Sequence, residues 1–308
     1  MIYSWILDSG GAGRGAWQGG VIYEFMQWCR ENGCFPKITM GASAGGYAAA
    51  DVATGTEKTV MKGWTVWGKQ ALMKKAHPDV PGDDRKMNRF RTNLRASVFY
   101  VMEEKEQAGV FNGDAQKKLI VFTTRVRRRD GNKFDGSDRF RYFLKSATRK
   151  FPKSLKYLPG GYIEDPVVFA TNLPEKFGSE YVRPLMRENY HAVIEASCLV
   201  PFAMGSPLLP EDVNAGLYET DRESVFIDGG YTLKMPMVIF EEDPRFRELA
   251  HWAHADKIVI FCCDPNGLLW ENSSRMRSLN SRPGVVKALG ENRLLIVHPD
   301  HKLSLIHI

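Results

Sequence analysis

Three glycine-rich clusters carry the candidate reactive side chains. The most telling is Gly41-Ala42-Ser43-Ala44-Gly45, a G-x-S-x-G pentapeptide between the apolar run Ile38-Thr39-Met40 and the small-residue stretch Gly46-Tyr47-Ala48-Ala49-Ala50. At a strand-to-helix junction this pentapeptide makes a cramped turn, where a side chain at either glycine collides with neighbouring backbone. Such a turn lifts the Ser43 hydroxyl clear of a sheet and aims a helix amino terminus at the reacting centre. The chemistry it predicts is nucleophilic attack by serine; the bland alternative is a tight turn.

The second cluster precedes it. Trp5-Ile6-Leu7 reads as a strand ending in Asp8-Ser9-Gly10-Gly11-Ala12-Gly13-Arg14-Gly15, and Val21, Ile22, Phe25, Met26 and Trp28 then recur at helical spacing. A glycine loop feeding a helix amino terminus exposes unpaired backbone N–H groups and gathers negative charge, either a phosphate or the oxyanion of a tetrahedral acyl intermediate. No Lys-Ser/Thr pair closes a Walker A loop, and the G-x-G-x-x-G dinucleotide spacing is missing. A serine elbow one helix further on favours the oxyanion, with Gly10, Gly11, Ala12, Gly13, Arg14 and Gly15 as the candidate cradle.

The third cluster lies far downstream, where the strand Ser224-Val225-Phe226-Ile227 ends in Asp228-Gly229-Gly230. An aspartate at a strand's carboxyl end points into the crevice where open α/β sheets place ligands. Asp-Gly is also ordinary hairpin punctuation.

In this order the three clusters resemble the patatin-like phospholipase family, bacterial type. The matching residues are Gly10, Gly11, Gly13, Arg14 and Gly15, then Gly41, Ser43 and Gly45, then Asp228, Gly229 and Gly230. Arg14 to Val21 follows the family's opening helix, and Ile194-Glu195-Ala196-Ser197-Cys198-Leu199-Val200-Pro201 is similar to the stretch that stands before its aspartate. The resemblance covers about residues 4–50 and 190–237; Ala12-Gly13 and Met235-Pro236 depart from the usual pattern. It implies a Ser43–Asp228 dyad without histidine, acting through an acyl-enzyme. The elbow would be formed by Gly41, Ala42, Ala44 and Gly45, and the aspartate supported by Gly229 and Gly230. Amides around Gly11 to Arg14 would hold the oxyanion, while Arg14 braces the loop. The implied substrate is a phospholipid, a lysophospholipid or another acyl ester, with no cofactor and no metal.

Two rivals remain. One is a Ser-Asp-His triad using His251 or His254, although an α/β-hydrolase places several strands before its elbow and here one strand and one helix precede Ile38. The other is a binding module that uses the glycine loop for an anionic ligand without turnover. His298-Pro299-Asp300-His301 lacks the helical spacing of a metal site.

The elements that must position these residues alternate along the chain. Strands are expected at 3–8, 37–41, 118–124, 224–227, 257–263 and near 292–298, and helices at 15–31, 43–53, 183–196 and near 243–254. This alternation predicts a three-layer α/β/α fold with a mostly parallel central sheet, in one domain over 1–308. A helical lid or wall is expected at about 57–115 and a C-terminal strand extension at about 290–308, ending in the apolar Leu303 to Ile308. From Glu57 to His77, Val60, Trp64, Trp67 and Ala71 share one helical face with lysines elsewhere. That is a core-facing helix or a basic helix lying in a lipid interface. A hairpin is expected around Asp130-Gly131-Asn132, with Arg125 to Arg129 as its solvated end or as a site for headgroups or nucleic acid.

Composition is permissive. The 42 basic and 36 acidic side chains leave a formal charge of +6, which suits peripheral contact with an anionic membrane and calls for no nucleic-acid partner. Five cysteines, two of them adjacent, form no disulfide framework and read as reduced thiols. No Sec signal opens the chain, and no apolar run approaches the roughly 20 residues of a membrane span. The expected location is cytoplasmic or peripheral to a membrane, with export by a non-Sec route left open. Oligomeric state is not legible.

Overall fold

Successive residues of the central strands point to opposite faces, and both faces are buried. Strand β1 (Tyr3–Leu7) sends Trp5 and Leu7 to one side and Ile6 to the other, and β2 (Ile38–Ala42) commits Ile38, Met40 and Ala42 to the side of Ile6. In β3 (Lys118–Arg128), Leu119 and Val121 join Trp5, whereas Ile120 and Phe122 join Ile6. A sheet apolar on both sides must be covered on both sides. The structure is a computed structural model. It describes residues 1–72, 104–112, 116–138, 161–200, 206–213, 218–233, 243–264 and 281–300, with shorter pieces at 91, 94–95, 97–98, 114, 141–142, 204, 235–236, 240, 268–270 and 276–278.

The remaining strands are β4 (Tyr162–Ala170), β5 (Val182–Pro184), β6 (Val225–Asp228), β7 (Lys257–Phe261), β8 (Leu268–Trp270), β9 (Met276–Ser278) and β10 (Leu294–Val297). Seven strands of the main sheet run in the order β10-β7-β1-β2-β3-β4-β5, and β6 also pairs with β3. From β10 through β3 every pairing is parallel; β4 and β6 are antiparallel to β3. Strands β8 and β9 form a separate ribbon.

One face carries α1 (Gly11–Glu31), α2 (Ala44–Ala53), α3 (Glu57–Leu72), α4 (Glu104–Phe111) and α5 (Tyr190–Cys198), which contribute Ile22, Ala48, Val60, Val110 and Val193 to a core with Trp5. The other carries α6 (Arg247–Trp252) and α7 (Pro283–Gly290), whose Leu249 and Val285 pack with Ile6 and Phe122. The fold is therefore a three-layer α/β/α arrangement around a mostly parallel sheet, as the alternation predicted.

Several boundaries differ from the sequence expectation. Helix α1 starts at Gly11 rather than at residue 15, so the glycines form its first turn instead of a loop ahead of it. The segment expected as a helix from 183 splits into β5 and α5. Asp130 and Gly131 do turn, with Gly131 at φ +73°, but β3 pairs with β4 in a register that sets Arg128 opposite Tyr162, so the connection is long and not a hairpin.

The basic run at the end of β3 is corrected more sharply. Arg125 is fully buried, not solvated. Its guanidinium reaches Asp221 at 3.1 Å and Asp165 and Glu180 at 3.2 Å each. Strand β4, the loop before β5 and the turn before β6 deliver one carboxylate apiece, which is what makes burying this charge tolerable. In α3, Val60 is buried and Trp64 meets Tyr47 edge-on at 5.7 Å, so these two residues of its apolar side face the core. The remainder of that expected helix, 73–77, and residues 301–308 lie outside the described residues.

Candidate active site

Strand β2 runs into α2 through a single residue, Ser43, held at φ +58° and ψ −131°. That left-handed backbone costs a non-glycine residue about 1–3 kcal/mol and persists only where its surroundings dictate it. The two flanking glycines are part of those surroundings. A Cβ on Gly41 would overlap the Gly45 carbonyl, and one on Gly45 would overlap the Leu7 carbonyl at the end of β1. The elbow is thus packed backbone against backbone, leaving the serine as its one functional side chain.

Strand register carries Asp228 to the same place. Along one edge of β3, β2 pairs in parallel as far as Ala42 opposite Phe122, and β6 takes over antiparallel from Asp228 opposite Thr123. The two strands therefore run carboxyl end to carboxyl end, and the residue after Ala42 faces the last residue of β6. The Ser43 Oγ donates to Asp228 Oδ2 at 2.6 Å, and both side chains are nearly buried. Asp228 Oδ1 accepts from the Gly230 N–H at 2.7 Å. Gly229 is pressed so closely on the Phe122 carbonyl that a Cβ there would overlap it. Burial pushes the Asp228 carboxyl up to about 6, against the lowering effect of its hydrogen bonds from Ser43 and Gly230. A carboxylate raised in this way is a better proton acceptor than an exposed one, yet remains ionised at neutral pH.

The first turn of α1 completes the constellation. Gly10 is its N-cap, and the Gly10 N–H is already engaged by the Asp8 carbonyl at 2.8 Å. Gly11, Ala12 and Gly13 follow as the first helical positions, whose amides have no intrahelical acceptor. A Cβ on Gly15 would stand 3.0 Å from the Ala44 Cβ, and one on Gly230 would stand 2.7 Å from the Ser9 Oγ. Both downstream clusters therefore abut the first. The Nε of Arg14 is buried and unpartnered among the described residues.

Sequence reasoning missed several residues. Gln18, fully buried in α1, donates to the carbonyls of Asp8 at 3.4 Å and Phe261 at 3.2 Å, tying the helix to the ends of β1 and β7. Asp51, two turns along α2 from Ser43, is fully buried with neither carboxylate oxygen hydrogen-bonded among the described residues, and burial drives its carboxyl well above the usual range. Ser197 and Cys198 of α5 bond to the Ser43 backbone. An alanine-serine pair before the distant strand was the only trace of this in the sequence. The histidines offered by the rival triad are not brought in. His251 and His254 precede β7 where Asp256 and Lys257 bond to the Ile2 carbonyl, at the amino end of the sheet. Ser43 lies at its carboxyl end, a strand length of about 15 Å away. Among the described residues no group of three His, Cys, Asp or Glu side chains is placed to hold a metal ion. No helix among them is long and apolar enough to cross a membrane.

No curated protein sequence matches the chain. A family model does, that of the patatin-like phospholipases, and it spans residues 6–240, from β1 through the glycine turn, the elbow and the Asp228 strand. The match takes in most of the chain and all three clusters, so the chain belongs to the patatin-like phospholipase family, whose general activity is lipid acyl-ester hydrolysis.

Proposed function

We propose that the chain releases fatty acid from a phospholipid or lysophospholipid by a two-residue mechanism, with Ser43 as nucleophile and Asp228 as general base. The observation that carries this reading is the 2.6 Å hydrogen bond from the Ser43 hydroxyl to a buried carboxylate. A serine hydroxyl is a weak nucleophile until a positioned base takes its proton. As Ser43 Oγ attacks the ester carbonyl, its proton passes to Asp228 Oδ2, and the carbonyl oxygen becomes an oxyanion. The amides of Gly11, Ala12 and Gly13, the first helical positions of α1, are suited to hold that charge. Asp228 then returns the proton to the departing alcohol or lysolipid, leaving an acyl ester on Ser43. Water, deprotonated by the same carboxylate, frees the fatty acid.

The Gly230 N–H on Asp228 Oδ1 keeps the other oxygen aimed at Ser43 throughout. The +6 charge favours peripheral contact with an anionic lipid surface, where such substrates lie. Incubating the purified protein with a mixed phospholipid extract and following free fatty acid by mass spectrometry tests the reading. Fatty acid release by the wild type and none by Ser43→Ala is expected; equal release by both removes Ser43 from the reaction.

A further inference from the structure

Two consecutive side chains of α5 hold the nucleophile's backbone from both ends. The Ser43 N–H donates to Ser197 Oγ at 3.0 Å, and the Cys198 Sγ–H donates to the Ser43 carbonyl at 3.0 Å. Ser197 is itself fixed: its hydroxyl donates to the Phe122 carbonyl at 2.7 Å, and it is fully buried. The Phe122 carbonyl is also the atom Gly229 presses on, one register step from Asp228. A chain of two hydrogen bonds thus runs from the peptide of the nucleophile to the strand that positions its base.

The space for this contact is specific. A Cβ on Gly46, in the first turn of α2, would stand 2.7 Å from Ser197 Oγ, so α5 reaches the elbow only because that position has no side chain. The left-handed φ of Ser43 has to be enforced from outside, and its N–H has no helical acceptor. Serine and cysteine at these two positions supply an acceptor for the Ser43 N–H and a donor to its carbonyl, which also accepts the Tyr47 N–H at 3.1 Å.

We propose that Ser197 and Cys198 are positioning residues for the Ser43–Asp228 reaction, a reading that rests on the hydrolase function proposed above. They act through the backbone of Ser43, setting where its Oγ lies relative to Asp228 and to the amides at the start of α1. By satisfying the Ser43 N–H, Ser197 also withdraws that amide from the oxyanion site, leaving the charge to α1.

The test compares Ser197→Ala, Ser197→Thr, Cys198→Ala and Cys198→Ser with the wild type. Three quantities are followed: kcat and KM on a short-chain acyl ester, the rate of phosphonylation of Ser43 by a fluorophosphonate, and Tm. Loss of either bond is expected to lower kcat and the phosphonylation rate together, by about tenfold to a hundredfold, with KM within about twofold of wild type. Cys198→Ser, which keeps a donor, and Ser197→Thr, which keeps the hydroxyl, should recover most of that loss at a Tm close to that of the alanine variants. Alanine variants with wild-type kcat and phosphonylation rates overturn the proposal, as does a loss that follows Tm and is not recovered by the hydroxyl variants. A wild-type protein that is neither phosphonylated at Ser43 nor active on any acyl ester overturns the hydrolase reading and this proposal with it.

Discussion

Ser43 and Asp228 are 185 residues apart in the chain and share one edge of β3, where the carboxyl ends of β2 and β6 meet between Phe122 and Thr123. That junction, more than any single side chain, is what brings the Ser43 hydroxyl within 2.6 Å of the Asp228 carboxylate. Under the proposed mechanism, a base delivered by the facing end of an antiparallel strand would sit at the level of the elbow without a histidine between them.

If Asp228 is the base, Asp228→Asn keeps the hydrogen bond to Ser43 and loses the proton acceptor. Turnover of a short acyl ester should fall by about 10²–10⁴-fold with little change in KM. The pH profile follows from the same residue. Only the ionised carboxylate can accept a proton, and burial places its titration at about 6, so kcat/KM should rise through that pH and then level off. A rise centred near pH 4 would contradict the burial argument.

Gly229→Ala tests the junction itself. The added methyl overlaps the Phe122 carbonyl, so β6 must move away from β3 and Asp228 with it. We expect a lower Tm and a loss of activity larger than the loss of stability at the assay temperature explains. A well-folded, fully active Gly229→Ala would show that the contact is slack.

The charge cluster around Arg125 begins two residues along β3 from the partner of Asp228 and has no part in the proposed chemistry. Removing one partner of a buried ion pair costs about 3–5 kcal/mol where the other charge is left unpaired; here Asp221 keeps Arg183 at 2.6 Å and Asp165 keeps Arg127 at 3.5 Å, so the cost should be smaller, about 1–3 kcal/mol. Arg125→Ala should lower stability to urea by that order. Arg222→Ala, whose partner Glu219 is exposed like itself, should change it by less than about 1 kcal/mol.

Much of this was readable in the residues and some was not. The elbow was legible because Gly41 and Gly45 are demanded by backbone contacts only a few residues away in sequence. Asp228 was legible as the end of an apolar strand before two glycines. The burial of Arg125 was not, because it depends on Asp165, Glu180 and Asp221 arriving from three other segments, and a run of arginines before Asp-Gly looks like a solvated turn. The stretch that holds Ser197 and Cys198 was part of the resemblance, but their contacts with Ser43 were hidden for a related reason. Their roles are set by the approach of α5 to Gly46, a tertiary fact that no local pattern encodes.

Two buried carboxyls, Asp51 and Asp228, have folded values raised by burial above the unfolded value of about 4. The folded state therefore keeps protons that the unfolded chain has released, and stability falls as pH rises through that window. Between pH 5 and pH 8 the urea midpoint of the wild type should drop, and Asp51→Asn, which cannot ionise, should drop less. Parallel curves for the two proteins would show that Asp51 does not contribute.

Phosphonylation reads the proposed activation of Ser43 by Asp228 directly, because it needs no knowledge of the lipid. A fluorophosphonate probe followed by peptide mapping should place one adduct on Ser43 in the wild type, formed faster as pH rises through about 6, and at least a hundredfold more slowly in Asp228→Asn. An adduct that forms on Ser43 at the same rate in Asp228→Asn, or one that forms on another residue, contradicts the account.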